Sequence, residues 1–177
     1  ANRVRVVTIL KRVLPALFLV LGLIIFFALD LDKYVNLEML AENRRLLIEL
    51  KTEHPILSVL GFILIYAAMV TFSIPGAVVM SVTGGFLFGQ WFGLLYNVCA
   101  ATVGATILFK VANWSIGETL RKRSGPWLIR MEGGFKKNAF SYLLVLRLVP
   151  IIPFWVVNLA AALLGLRLST FIIATFL

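Results

Sequence analysis

Two stretches decide how this chain is read. One is Phe72-Ser73-Ile74-Pro75-Gly76, running on to Gly84-Gly85-Phe86-Leu87-Phe88-Gly89. The other is Arg147-Leu148-Val149-Pro150-Ile151-Ile152-Pro153-Phe154, running on to Asn158. Each sets helix-breaking residues inside an apolar run. In a bilayer, broken backbone is tolerated only where protein buries it or a wet cavity receives it. Aligning Pro75 with Pro153 pairs Ile-Pro-Gly-Ala-Val-Val with Ile-Pro-Phe-Trp-Val-Val. Small residues follow in both, Thr83 and Gly84 in one, Ala160, Ala161 and Ala162 in the other. A break in each half of a membrane protein is the pattern of inverted-repeat transporters, and it points to a pathway.

Composition supports the membrane setting. The 177 residues are 61% hydrophobic and 14% charged, well below the roughly 25% charged of a soluble domain. The formal charge is +9. In a membrane protein such an excess marks cytoplasmic loops and anionic-lipid contact, and no nucleic-acid motif accompanies it. One cysteine (Cys99) and one histidine (His54) exclude an internal disulfide and argue against a metal site. No nucleophile–base pair or membrane carboxylate dyad is evident, so an enzyme is not expected, nor a cofactor.

Outward from the two breaks, Val13 to Leu29 is an uncharged run preceded by Arg3, Arg5, Lys11 and Arg12. It reads as an uncleaved anchor helix; Phe26 is too bulky for the −3 position of a signal-peptide site after Ala28. Residues 30–54 are polar, with Leu37, Leu40, Leu47 and Leu50 near helical spacing, and predict an amphipathic helix that lies on the membrane or packs on a partner helix. Pro55 to Phe72 and Trp91 to Phe109 are further apolar helices. The second of these carries small residues four apart (Ala100 and Gly104, Ala101 and Ala105), a spacing that admits close helix approach, and the polar Asn97 and Thr102. Residues 110–137 are the most basic region, a cytoplasmic loop or a lipid head-group platform. Arg167 interrupts the last apolar stretch, Ala160 to Leu177, and the ten residues after it are too few to cross, which predicts a longer natural protein. The expected organisation is an N-terminal anchor and amphipathic helix over 1–54 and a membrane domain over 55–177.

Sidedness is contested by the sequence itself. If residues 73–90 form a re-entrant hairpin, three crossings separate the basic N-terminus from the basic 110–137 region, which places them on opposite faces against the positive-inside rule. A full crossing by 73–90 restores the rule, but Pro75, Gly76, Gly84, Gly85 and Gly89 favour the hairpin.

With these residues in view, the chain from about 55 to 177 resembles the VTT domain of the SNARE-associated Golgi protein group in the DedA superfamily. The likeness rests on Pro75-Gly76 to Gly89 and on the Arg147-x-x-Pro150-x-x-Pro153-Phe154-x-x-x-Asn158 string. The resemblance implies an all-α integral membrane protein with two opposed re-entrant hairpin loops, an inverted repeat, plus amphipathic interfacial helices. It implies movement of phospholipid or a lipid-phosphate carrier such as undecaprenyl phosphate between leaflets, as a transporter or scramblase. Ala77 stands where the classical DedA type has an Asp, no acid lies between Glu53 and Glu118, and no Arg occurs in Ile151 to Phe154. Proton coupling through a first-loop carboxylate is therefore not expected. The candidate pathway residues are Arg147, Pro150, Pro153, Phe154, Asn158, Pro75, Gly76, Gly84, Gly85 and Gly89. Arg147 is expected to meet an anionic lipid head-group or to clamp free loop carbonyls, and Asn158 to bridge the loops. The expected partners are membrane phospholipids and a second copy of the chain, and the expected place is a bacterial inner membrane, with an organelle membrane second. A scaffold acting through the basic loop and the amphipathic helix, or an ion or small-solute transporter, are the competing readings.

Overall fold

A computed structural model describes residues 2–117, 138–148 and 152–177, and every regular element among them is a helix. The helices are α1 (Asn2–Ala28), α2 (Leu37–Glu42), α3 (Arg44–Glu53), α4 (Pro55–Thr71), α5 (Ala77–Phe88), α6 (Gln90–Ala112), α7 (Ala139–Leu148), α8 (Phe154–Leu163) and α9 (Leu168–Phe176). A 3-10 turn, Leu31–Tyr34, follows α1, and a π turn, Asn113–Gly117, extends α6. Most of the basic 110–137 region and Val149, Pro150 and Ile151 lie outside the described residues.

The amphipathic stretch forms two helices where one was expected. Asn36 caps α2 through its side chain, accepting from the Met39 amide at 2.7 Å. Asn43 then ends it, its side-chain amide donating to the Met39 carbonyl at 2.9 Å, and α3 starts at the next residue. Asn competes with the helix for backbone partners, so it divides a leucine pattern that is otherwise continuous.

Contacts divide the chain into two compact units, residues 1–21 with 105–177, and Gly22–Gly104. In the second of these, α4 and α5 form an antiparallel helical hairpin. Tyr66 of α4 reaches the Ala77 carbonyl and the Ser81 hydroxyl at the start of α5, while Phe62 meets Phe88 near its end, ring centroids 5.4 Å apart. The hairpin turns through 72–76. There α4 closes with the paired bonds of a Schellman cap, Ser73 N–H to Val70 O and Ile74 N–H to Met69 O. Pro75 prevents the helix from continuing. Gly89, at φ +83°, makes the reversal into α6, a conformation that L side chains rarely adopt. Helix α6 then runs back beside α5 and parallel to α4, with the Thr71 hydroxyl donating to the Gly104 carbonyl at 3.2 Å.

The other unit repeats this plan. Arg147 near the end of α7 bonds Thr175 near the end of α9, and the starts of the same two helices line one cavity, so α7 and α9 run parallel. Helix α8 returns between them in sequence: its first turn lies by Arg147, and its end, Leu164 to Leu166, turns into α9. It also ends in a Schellman cap, Gly165 N–H to Ala162 O and Leu166 N–H to Ala161 O. Leu143, Val157, Asn158 and Phe171 are the large side chains most completely enclosed here.

Among the described residues, one helix, Gln90–Ser115, is long and apolar enough to cross a membrane. The apolar part of α1, Val13–Ala28, and the apolar helices α4, α5, α7 and α8 are shorter, the last four at 17, 12, 10 and 10 residues. Much of the outer surface is greasy. Ile56, Leu57, Leu64, Ile65, Val78, Trp91 and Phe92 are each more than half exposed. Apolar exposure on that scale is unusual for a soluble monomer and suits contact with lipid.

Candidate functional site

The site is assembled around the break between α7 and α8. Arg147 occupies the last turn of α7, and Pro153 stands immediately before α8. Its Nη2 donates to Asn158 Oδ1 at 3.0 Å and to Thr175 Oγ1 at 2.7 Å. The guanidinium lies 4.8 Å from the Phe154 ring centroid and 5.2 Å from that of Phe171. Phe171 in turn stacks on Phe109 at 4.5 Å. Three helices therefore converge on one cation, which lies over two aromatic rings.

This cation is incompletely satisfied. Arg147 Nε and Nη1 are buried with no hydrogen-bond partner, and so is Nδ2 of Asn158, a residue with no exposed surface. All three atoms are donors. Asn158 turns its acceptor to the arginine, as it must, and that leaves its amide unpaired. Among the described residues no carboxylate pairs with Arg147. A buried cluster of unmet donors around a guanidinium can bind an acceptor-only group, a phosphate or a carboxylate.

Of the other predicted residues, Pro153 caps α8 and Phe154 opens it beneath the guanidinium, so Arg147, Pro153, Phe154 and Asn158 are brought together. Pro150 lies outside the described residues. Asn158 is bonded within its own segment. The first-break residues belong to the other unit. Pro75 and Gly76 form the hairpin turn, and Met69 and Val35 lie so close to Gly76 that a Cβ there would touch both. Gly84 and Gly85 do not break the chain, as the sequence suggested they would; both sit inside α5. Gly84 is a close-approach position against Asn97 and Phe62, whereas Gly85 faces open space. Gly89 makes the turn.

Sequence reasoning missed three polar side chains. Thr175 carries no motif. Tyr66 and Ser81 bond each other at 3.0 Å, and the Asn97 amide donates to the Ser81 carbonyl at 3.0 Å, which ties α4, α5 and α6 together. The available signal was the lone Tyr of the Pro55–Phe72 run, since a buried phenol seeks a partner.

Helical hairpins with apolar outer surfaces define a class: helical membrane proteins. The family profile described as the VTT domain matches residues 74–177. The chain is 31% identical over 120 residues to a Transmembrane protein 41 homolog of Drosophila melanogaster, covering 66% of this chain and 37% of the relative. It is 34% identical over 120 residues to the Transmembrane protein 41 homolog of Dictyostelium discoideum, covering 66% and 36%. It is 32% identical over 122 residues to the uncharacterized protein YqeD of Bacillus subtilis, covering 68% and 59%. The chain thus spans between about a third and three fifths of these relatives. No solved structure matches it. The chain belongs to the VTT-domain family, the SNARE-associated Golgi group of the DedA superfamily, and is an integral membrane protein.

Proposed function

We propose that this protein moves lipids with phosphate head-groups between leaflets, as a scramblase or lipid transporter, and that Arg147 receives the phosphate. The observation that carries this reading is the set of buried, unpartnered donors at Arg147 Nε, Arg147 Nη1 and Asn158 Nδ2 beside a proline break. A charge at membrane depth is costly and marks a pathway unless it is fully paired, and this one is only partly paired. Hairpin geometry adds support. Ten-residue helices rise about 15 Å each, so α7 and α8 reach only halfway through a hydrocarbon core of about 30 Å. A hairpin of that length enters and leaves on one face, with its broken tip and Arg147 near the midplane. The same reading places the protein in a bacterial inner membrane with phospholipids as its partners.

The test is reconstitution in vesicles carrying a fluorescent phospholipid, with the label in the outer leaflet quenched chemically. Arg147→Ala is expected to reduce exchange between leaflets by roughly tenfold or more, the scale of losing charged hydrogen bonds. Arg147→Lys keeps the charge without the planar fork and should fall between. Undiminished exchange by a monodisperse Arg147→Ala protein would refute the role.

A further inference from the structure

The α7–α9 pair has a second basic position at its other end. Arg167 interrupts the apolar run Leu163-Leu164-Gly165-Leu166-Arg167-Leu168 and stands, exposed, immediately before α9. It lines a cavity of about 680 Å³ with Asn138, Ser141 and Thr170, all from the same unit. That volume lies within the range of small-molecule sites. The remaining described wall is Ala139, Phe140, Gly165 and Leu166, and no carboxylate is among the described lining residues. Arg167 has no ion-pair partner among the described residues. A guanidinium, two hydroxyls and an amide around an open hollow match a tetrahedral oxyanion better than a cation or a purely apolar ligand.

Position gives the cavity a meaning. From Ala139 to Arg147, α7 rises roughly 12 Å. The cavity therefore sits at the open base of the α7–α8 hairpin, and Arg147 sits near its tip. A polar residue at the base is reachable from the membrane interface, where lipid phosphates lie, whereas the tip is not.

We propose that this cavity is a second phosphate site, which takes up a lipid phosphate or free phosphate at the hairpin base and so feeds Arg147. Its place on a route to Arg147 rests on the transport reading; its phosphate chemistry does not. Arg167 supplies the charge, and Thr170 and Ser141 donate their hydroxyls to the remaining oxygens.

The test is equilibrium binding by titration calorimetry on the purified protein in detergent, with two probes, dihexanoyl phosphatidic acid and inorganic phosphate. Arg167→Gln should weaken binding at least tenfold, and Thr170→Val, which keeps the shape, by several-fold, with gel-filtration profiles unchanged. Binding of the lipid probe alone identifies a head-group site, and equal dependence for inorganic phosphate identifies a free-phosphate site. Equal affinity in wild type, Arg167→Gln and Thr170→Val overturns the proposal, as does failure of wild type to bind either probe. If Arg167→Gln does not fold, Thr170→Val decides alone. Because binding is read without a membrane, Arg167-dependent binding in a protein that shows no lipid exchange keeps this site and removes the transport reading. Arg167-independent binding with Arg147-dependent exchange does the reverse.

Discussion

At the scale of single residues, the two Schellman caps make a natural comparison. Helix α8 ends with Gly165 at φ +64°, and α4 ends with Ser73 at φ +58°. The hydrogen bonds are equivalent, so the backbone demand is the same, but Ser73 has a Cβ in a left-handed conformation that costs roughly 1–2 kcal/mol. Part of that strain is offset because glycine loses more entropy on folding. Ser73→Gly should therefore stabilise the protein by about 0.5–1 kcal/mol, and Gly165→Ala should destabilise it by about 1 kcal/mol. Thermal unfolding in detergent, followed by monodispersity on gel filtration, reads both; a lower midpoint for Ser73→Gly would show that the strained serine is doing something glycine cannot. Residue-scale legibility was uneven for a physical reason. Arg147 stood out in the sequence because a guanidinium deep in an apolar run needs an explanation wherever it occurs. Thr175, its shortest partner, did not, since a membrane threonine can satisfy itself on its own helix, as this one also does by donating to the Phe171 carbonyl at 2.6 Å.

At the scale of elements, the prolines were a better guide to the interruptions than the glycines. Pro75 and Pro153 precede α5 and α8 and mark the true interruptions, because a missing amide and a fixed φ act whatever the surroundings. Gly-Gly-x-x-x-Gly carried no such certainty. A glycine is equally at home in a turn, at a helix contact or on an open helix face, and Gly89, Gly84 and Gly85 occupy these three situations in turn. The neighbouring helix decides among them, and no single segment encodes it. Where α5 meets α6, a Cβ on Gly93 would strike the backbone of Gly84 and Gly85, which no side-chain movement relieves. Gly93→Ala should thus force the hairpin apart and cost about 1–3 kcal/mol. Gly85→Ala, on the same α5 helix but with open space before it, should gain about 0.5–1 kcal/mol from helix propensity. The pair can be compared by denaturation under identical detergent conditions; similar losses in both would mean that the α5–α6 contact is looser than its geometry.

At the scale of the whole molecule, the position of the first turn offers a way out of the conflict that the sequence left between charge and backbone. The conflict arose from taking residues 73–90 as the hairpin and Pro55 to Phe72 as a crossing. The turn lies instead at 72–76, and α4 and α5 are its two limbs. At 17 and 12 residues the limbs rise about 26 and 18 Å, so length does not set α4 apart from the apolar part of α1, Val13–Ala28, and sidedness has to be measured. If α4–α5 returns to the face it entered and α1 crosses as the sequence reading expects, the crossings between the basic N-terminus and the basic 110–137 region are α1 and α6. Two is even, so both basic regions fall on the cytoplasmic face, as positive-inside requires. The 30–54 segment, with six acids against four Lys and Arg, then falls outside. Single-cysteine variants at Lys33 and Lys122, made in a Cys99→Ala background, test this with a membrane-impermeant thiol reagent on sealed vesicles. The expected result is labelling from opposite faces, with Lys33→Cys reached from outside. Labelling of both from one side would mean that α4 crosses after all. The basic loop would then face away from the cytoplasm, and the α4–α5 hairpin would lose its re-entrant reading while the α7–α8 site kept its own.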